Sequence, residues 1–173
     1  EEGSVTRMTV DINPSVEFMI DDQNKIVSVT ALNDDGSILI VGEAFVGKTP
    51  EDAIEMMVTL ASDTGYLVQG NAKASENTVK ISVSGDSKYA EQLKKDITQK
   101  ANDTLKALDI NGTVEKVEAL KIDALRQIAL STSLYTEEEI SAMDEDQLYK
   151  VISAGRIETA LLLTEEMRNA YYS

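Results

Sequence analysis

The chain has 173 residues with 16 basic against 31 acidic side chains, a formal charge of -15, and contains neither cysteine nor histidine. That length suits one moderate domain with a real core. The missing residue types exclude disulfides, thiol and histidine-triad catalysis and zinc held by Cys and His, and the acidic balance argues against a nucleic-acid backbone or an anionic membrane surface as partner.

No apolar run reaches membrane-spanning length, and Glu1-Glu2-Gly3-Ser4 is no signal peptide. The chain is expected to be soluble, and its abrupt non-Met start just ahead of a strand reads as trimmed, which is compatible with a fragment of an anchored protein. The first pattern is an alternation in which Met8, Val10, Ile12, Pro14, Val16, Phe18 and Ile20 are apolar while Arg7, Thr9, Asp11, Asn13, Ser15 and Glu17 are polar. Period two is the signature of a half-buried strand. It crosses Pro14 without slipping, and proline has no N–H for a central ladder, so the segment belongs at a sheet edge, a bulge or a tight break between two strands.

Asp21 to Asn24 reads as a turn, Lys25 to Leu32 as the next strand, Asn33-Asp34-Asp35-Gly36 as a second turn and Ser37 to Val41 as a further strand, which together make an antiparallel meander. Thr49 as N-cap, Pro50 at the first helical position and Glu51 and Asp52 in the first turn announce a helix with the buried stripe Ala53, Ile54, Met57, Leu60 and Ala61. Gly65 ends it, Tyr66-Leu67-Val68 is a short strand candidate, and Thr78 to Ser84 alternates as a sheet strand with one wetter side. Ala90, Leu93, Ile97, Ala101, Leu105 and Leu108 then mark a long amphipathic helix, followed by an Asn111-Gly112 turn and a last strand over Thr113 to Glu118.

Beyond residue 118 the pattern is helical. Leu120 to Ala129 forms one helix, a capping box of Thr136 with Glu139 opens another, and Asp144 with Gln147 opens one more that Gly155 closes. Ile157 to Tyr171 is apolar on too many sides for a solvated helix and packs on the chain's own helices or on a partner chain. The fold class is α+β: a mostly antiparallel sheet of five or six strands with two long helices packed on it, divided into an α+β domain over 1–118 and a helical extension over 119–173.

Gly42 to Thr49 matches the phosphate-loop formula between a strand and a helix. Glu43 would repel phosphates, Phe45 is bulky where the backbone must wrap closely, and a meander is not the parallel sheet such a loop serves, so nucleotide binding ranks third among the readings. The acidic turns at Asp21, Asp34 and Asp144 miss the calcium-loop spacing, and neither metal nor cofactor is expected. Asn102 and Asn111 open formal glycosylation triplets that are treated as chance.

Asn13-Pro14 carries the one chemistry that stands out. Proline nitrogen bears no hydrogen and cannot attack the asparagine side chain, so ordinary deamidation is closed. The Asn13 amide nitrogen can instead attack its own backbone carbonyl, closing a succinimide and expelling Pro14 as a secondary amine, provided the fold holds a near-attack geometry and stabilises the oxyanion. Set against this, Asn-Pro is a common turn opener, and an exported structural or ligand-binding module with an inert bond is the alternative.

The residues Val10 to Phe18, Lys25 to Gly36, Gly47 to Ala53 and Asn77 to Val83 together make the sequence resemble the extracytoplasmic domain of RsgI-type anti-sigma factors over about two thirds of the chain, with the helices after residue 118 matching only loosely. The resemblance implies a membrane-anchored regulator of Gram-positive bacteria, with a cytoplasmic segment holding a sigma factor, one membrane helix and this domain outside the membrane. It also implies a single intramolecular cut at an Asn-Pro bond, halves that stay associated until a signal separates them, and subsequent intramembrane proteolysis. Carried onto this chain, the scissile pair is Asn13 and Pro14, and Asp11 and Ser15 match the flanking motif; a role for these two in positioning the reacting amide is a hypothesis added to the resemblance, and the external ligand, an envelope carbohydrate or another signal, stays open. After cleavage the strand before Asn13 is expected to remain held by ladder bonds and by Met8, Val10 and Ile12, and to be freed by a pull along the strand or by local opening of a sheet edge, without unfolding the rest.

Overall fold

A computed structural model of the chain describes residues 6–70, 72–85 and 87–155. The opening alternation is two strands, β1 (Thr6–Asp11) and β2 (Ser15–Ile20), paired antiparallel with Asp11 opposite Ser15 and Val10 opposite Val16. In that register even residues face even residues, so the apolar set of both strands lies on one side of the sheet. This is why the alternation survives the proline: Ile12-Asn13-Pro14 is the turn between the strands, the tight break among the three placements that proline permits.

β3 (Ile26–Ala31) pairs with β2, β4 (Thr78–Ser84) pairs with β1, and β5 (Thr113–Lys116) runs parallel to β4, giving a 5-stranded sheet in the order β3-β2-β1-β4-β5. β1 is therefore the middle strand with ladders on both sides, and the expected release of this strand by opening of a sheet edge does not apply. The hydrogen bonds that proline could not serve are not needed, because Pro14 stands outside both ladders.

Two further expectations are corrected. Ser37 to Val41 is not a strand; Asp34–Ile40 forms a short helix, α1, capped by Asn33, whose side chain accepts from the Gly36 N–H. The N-cap and the two acids behind it outweigh the β-branched run. Tyr66 to Val68 is also not in the sheet. The fully buried Asn77 side chain serves the Val68 backbone instead, accepting from its N–H at 2.7 Å and donating to its carbonyl at 2.8 Å, with a further bond to the Asn111 carbonyl at 3.0 Å.

Helix α2 (Pro50–Asp63) starts at the Thr49 cap, and α3 (Ser87–Ala107) is the crossover that a parallel β4–β5 pair requires. Both cover the even face of β1 and β2: Met8, Val10, Val16, Phe18 and Ile20 join Val79 and Ile81, Ile54 and Met57, and Leu93, Ile97 and Leu105 in one core.

The opposite face is covered too. α4 (Ile122–Leu130), α5 (Glu137–Ser141) and a helix over 145–155, α6, form a second cluster from Leu125, Ala129, Ile140, Leu148 and Ile152 together with Leu32 at the end of β3. Both predicted caps are made: Thr136 and Glu139 bond reciprocally, as do Asp144 and Gln147. The chain is still helical at Gly155, so the predicted stop there is not seen within the described residues, and the apolar segment from Ile157 to Tyr171 lies outside them.

Arg7 ties this layer to the sheet. Its guanidinium pairs with Glu17 at 2.6 Å, Asp146 at 2.7 Å and Glu145 at 3.3 Å, and lies 3.9 Å from the Tyr149 ring centroid.

Candidate functional site

The Asn13-Pro14 bond sits at the tip of the β1–β2 hairpin. The Ile12 N–H donates to the Pro14 carbonyl at 2.8 Å, and Asn13 takes φ 62°, the left-handed region that asparagine tolerates better than most residues. Asp11 sets this turn: its carboxylate accepts from the Asn13 N–H at 3.0 Å. The peptide is trans, since no described peptide is cis. Pro14 is buried while Asn13 is exposed, so one flank of the bond is anchored and the other is open to chemistry.

The turn is braced by the β3–α1 corner. Asn33 Oδ1 accepts from the Ser15 N–H at 3.1 Å as well as from Gly36 at 2.8 Å, and Asn33 Nδ2 donates to Asn13 Oδ1 at 3.3 Å. The Leu32 N–H donates to the Ser15 carbonyl at 2.9 Å. Only glycine fits at position 36, because a Cβ there would stand 2.4 Å from the Ser15 carbonyl oxygen. Ser15 thus takes part through its backbone, and Asp11 through the Asn13 backbone. Among the described residues the Asn13 Nδ2 has no acceptor.

These groups border an open cleft of about 320 Å³ lined by Thr9, Asp11, Asn13, Ser15, Asn33 and Lys80 on the sheet side, with Leu120 and Ile128 opposite. Lys80 stands across the β1–β4 ladder from Asp11. The arrangement supplies an asparagine amide with its oxygen engaged and its nitrogen unengaged, beside a tertiary amide whose leaving group is a secondary amine. That is the inventory for cyclisation of Asn13 onto its own carbonyl.

The sequence pointed to Asn13, Pro14, Asp11 and Ser15, and the turn brings all of them together. It did not point to Asn33 or Gly36, although an Asn followed by two acids is a recognisable cap.

The phosphate-loop look-alike does another job. Phe45 is 2 % exposed and packs edge-on against Phe18 with ring centroids 5.2 Å apart. The Gly47 N–H donates to the Ile26 carbonyl at 2.8 Å and the Lys48 N–H to the Phe45 carbonyl at 3.1 Å. Backbone donors that would cradle a phosphate are spent inside the loop and on β3.

A family model described as the anti-sigma factor RsgI-like central domain matches residues 5–140. Among curated proteins of Acetivibrio thermocellus, the chain is 30% identical over 161 residues to the anti-sigma-I factor RsgI6, covering 92% of this chain and 19% of that protein. It is 30% identical over 111 residues to the anti-sigma-I factor RsgI7, covering 64% and 19% respectively. The chain therefore spans about a fifth of the length of these curated relatives.

Proposed function

The chain belongs to the family of anti-sigma factor RsgI-like central domains, and on that premise we propose that it is the extracytoplasmic signal-sensing part of a membrane-anchored anti-sigma factor that severs itself once, at Asn13-Pro14. In this reading Asn13 Nδ2 attacks the Asn13 carbonyl carbon, the new C–N bond closes a succinimide, and the bond to Pro14 breaks. The proton lost by Nδ2 goes to the proline nitrogen, which departs as a secondary amine. Water then opens the succinimide to a C-terminal carboxylate.

The observation that carries the proposal is the state of Asn13. It is held in the left-handed region by Asp11, its amide oxygen is engaged by Asn33 and its amide nitrogen is without an acceptor among the described residues. Holding a reacting group in place is worth a large part of such a barrier. The cut would fall between β1 and β2, so the released ends stay paired in the sheet. A segment beyond this chain would hold the sigma factor on the cytoplasmic side, in keeping with a regulator of Gram-positive bacteria.

Intact mass of aged, denatured protein tests this. The expected result is a species beginning at Pro14 and a small peptide ending at Asn13 or its succinimide, both absent from Asn13→Ala. A single full-length mass after long incubation across pH would leave an exported structural or ligand-binding module with an inert bond.

A further inference from the structure

We infer that Asn33 is a positioning residue for cleavage at Asn13-Pro14, spanning the bond from one flank to the other; the inference rests on the self-cleavage reading and assigns a role to a residue outside the turn. One side of the Asn33 amide, Oδ1, is fixed by two backbone donors, Ser15 N–H at 3.1 Å and Gly36 N–H at 2.8 Å. With the oxygen so engaged, the orientation of the amide is decided by its own network. Nδ2 must face the other way, where it donates to Asn13 Oδ1 at 3.3 Å. A single side chain therefore grips the residue before the bond through its side chain and the residue after Pro14 through its backbone.

Two consequences follow for the reacting amide. With its oxygen held, the Asn13 side chain loses the rotation that would exchange its oxygen and nitrogen, and Nδ2 is kept on the unengaged edge. As Nδ2 gives up its proton, negative charge gathers on Oδ1, and a donor at that oxygen favours the charged form. Asn33 is itself placed by its role as the N-cap of α1, with extended backbone at φ -146°.

Asn33→Asp separates this role from capping, because a carboxylate still accepts from Ser15 and Gly36 but has no hydrogen for Asn13. The first-order cleavage rate of the folded variant at neutral pH is expected to fall by about 10- to 100-fold, with a melting temperature near that of wild type. The ratio of variant to wild-type rate should then rise as pH falls and the new carboxyl gains a proton to donate. Asp11, Lys80 and Glu118 border the same cleft and Asp34 and Asp35 follow in α1; all are present in both proteins, so the ratio isolates position 33.

A wild-type rate in Asn33→Asp overturns the inference, and so does a slower rate whose ratio is flat with pH. Should Asn33→Asp not fold, Asn33→Ser is read instead: it keeps a cap acceptor but is too short to reach Asn13, and a wild-type rate there is equally fatal. If wild-type protein does not cleave at all, the self-cleavage reading fails and takes this inference with it; wild-type cleavage with an indifferent position 33 removes the inference alone.

Discussion

Arg7 of β1 and Glu17 of β2 meet at 2.6 Å with Glu17 fully enclosed. They are diagonal neighbours on the outer face, since Arg7 lies opposite Met19 and Glu17 opposite Thr9. Loss of hydration pushes the Glu17 carboxyl above the usual carboxylate range, even though the guanidinium pulls the other way. Burial alone would lower Arg7, but its bond to Glu17 and that carboxylate's charge keep it protonated more firmly than usual. Burial and the same carboxylate also hold the Tyr149 phenol above its ordinary range.

Removing the cation should leave a buried acid without its partner. Arg7→Met is expected to lose about 3–5 kcal/mol in urea unfolding, whereas Arg7→Met with Glu17→Leu, which removes both charges, should recover most of that loss. Equal losses in the single and double variants would contradict the arrangement.

The enclosed carboxyl also fixes a sign for pH dependence. A group whose folded pKa is raised contributes stability that is complete below its ordinary value of 4.5 and is lost as pH rises through the folded value. Glu17→Gln should abolish that segment of decline, so the wild-type and variant urea midpoints, measured from about pH 4 to about pH 8, should lie closest at low pH and diverge as pH rises.

Material cut at Asn13-Pro14 should keep the short peptide that ends at Asn13. β1 is hydrogen-bonded to β2 and to β4, at about 0.5–1.5 kcal/mol net per bond, and Met8 and Val10 are fully buried. The short peptide is expected to co-elute with the remainder on gel filtration in native buffer and to separate only in denaturant. Early loss in native buffer would show that the pairing does not hold it.

The Gly42–Thr49 loop gives a paired test. Phe45→Ala should cost about 3–5 kcal/mol, as large core truncations do, while exposed Lys48→Ala should stay within about 0.5 kcal/mol of wild type and neither ATP nor GTP should raise the melting temperature of either protein. A nucleotide-dependent shift that disappears in Lys48→Ala would reinstate the phosphate-loop reading.

Much of this was legible from residue order. The parity of Met8 to Ile20 carried the apolar face through Pro14, and the stripes from Ala53 to Ala61 and from Ala90 to Leu105 gave the long helices that bury it. What alternation does not contain is whether Pro14 interrupts one strand or joins two, since both preserve parity. Ser37 to Val41 read as strand because Ile38, Ile40 and Val41 favour it, yet Asn33 capped a helix there. Arg7 and Glu17 read as the wet side of a strand. Their burial depends on α6, more than a hundred residues further along the chain, a contact that local periodicity does not encode. Asn33 was hidden in the same way, since its tie to Asn13 is made by the sheet register and not by sequence proximity.

The middle position of β1 decides what its departure would mean. Taking it away would not trim a margin; it would part β3-β2 from β4-β5 and lay bare Phe18 and Ile81 along the centre line of the domain. Extraction of the strand and collapse of the body that held it would be a single event, with no vacant but intact receptor left to take the strand back. Under the proposed cleavage, such a joint would report once per molecule, and resetting it would require a newly made chain.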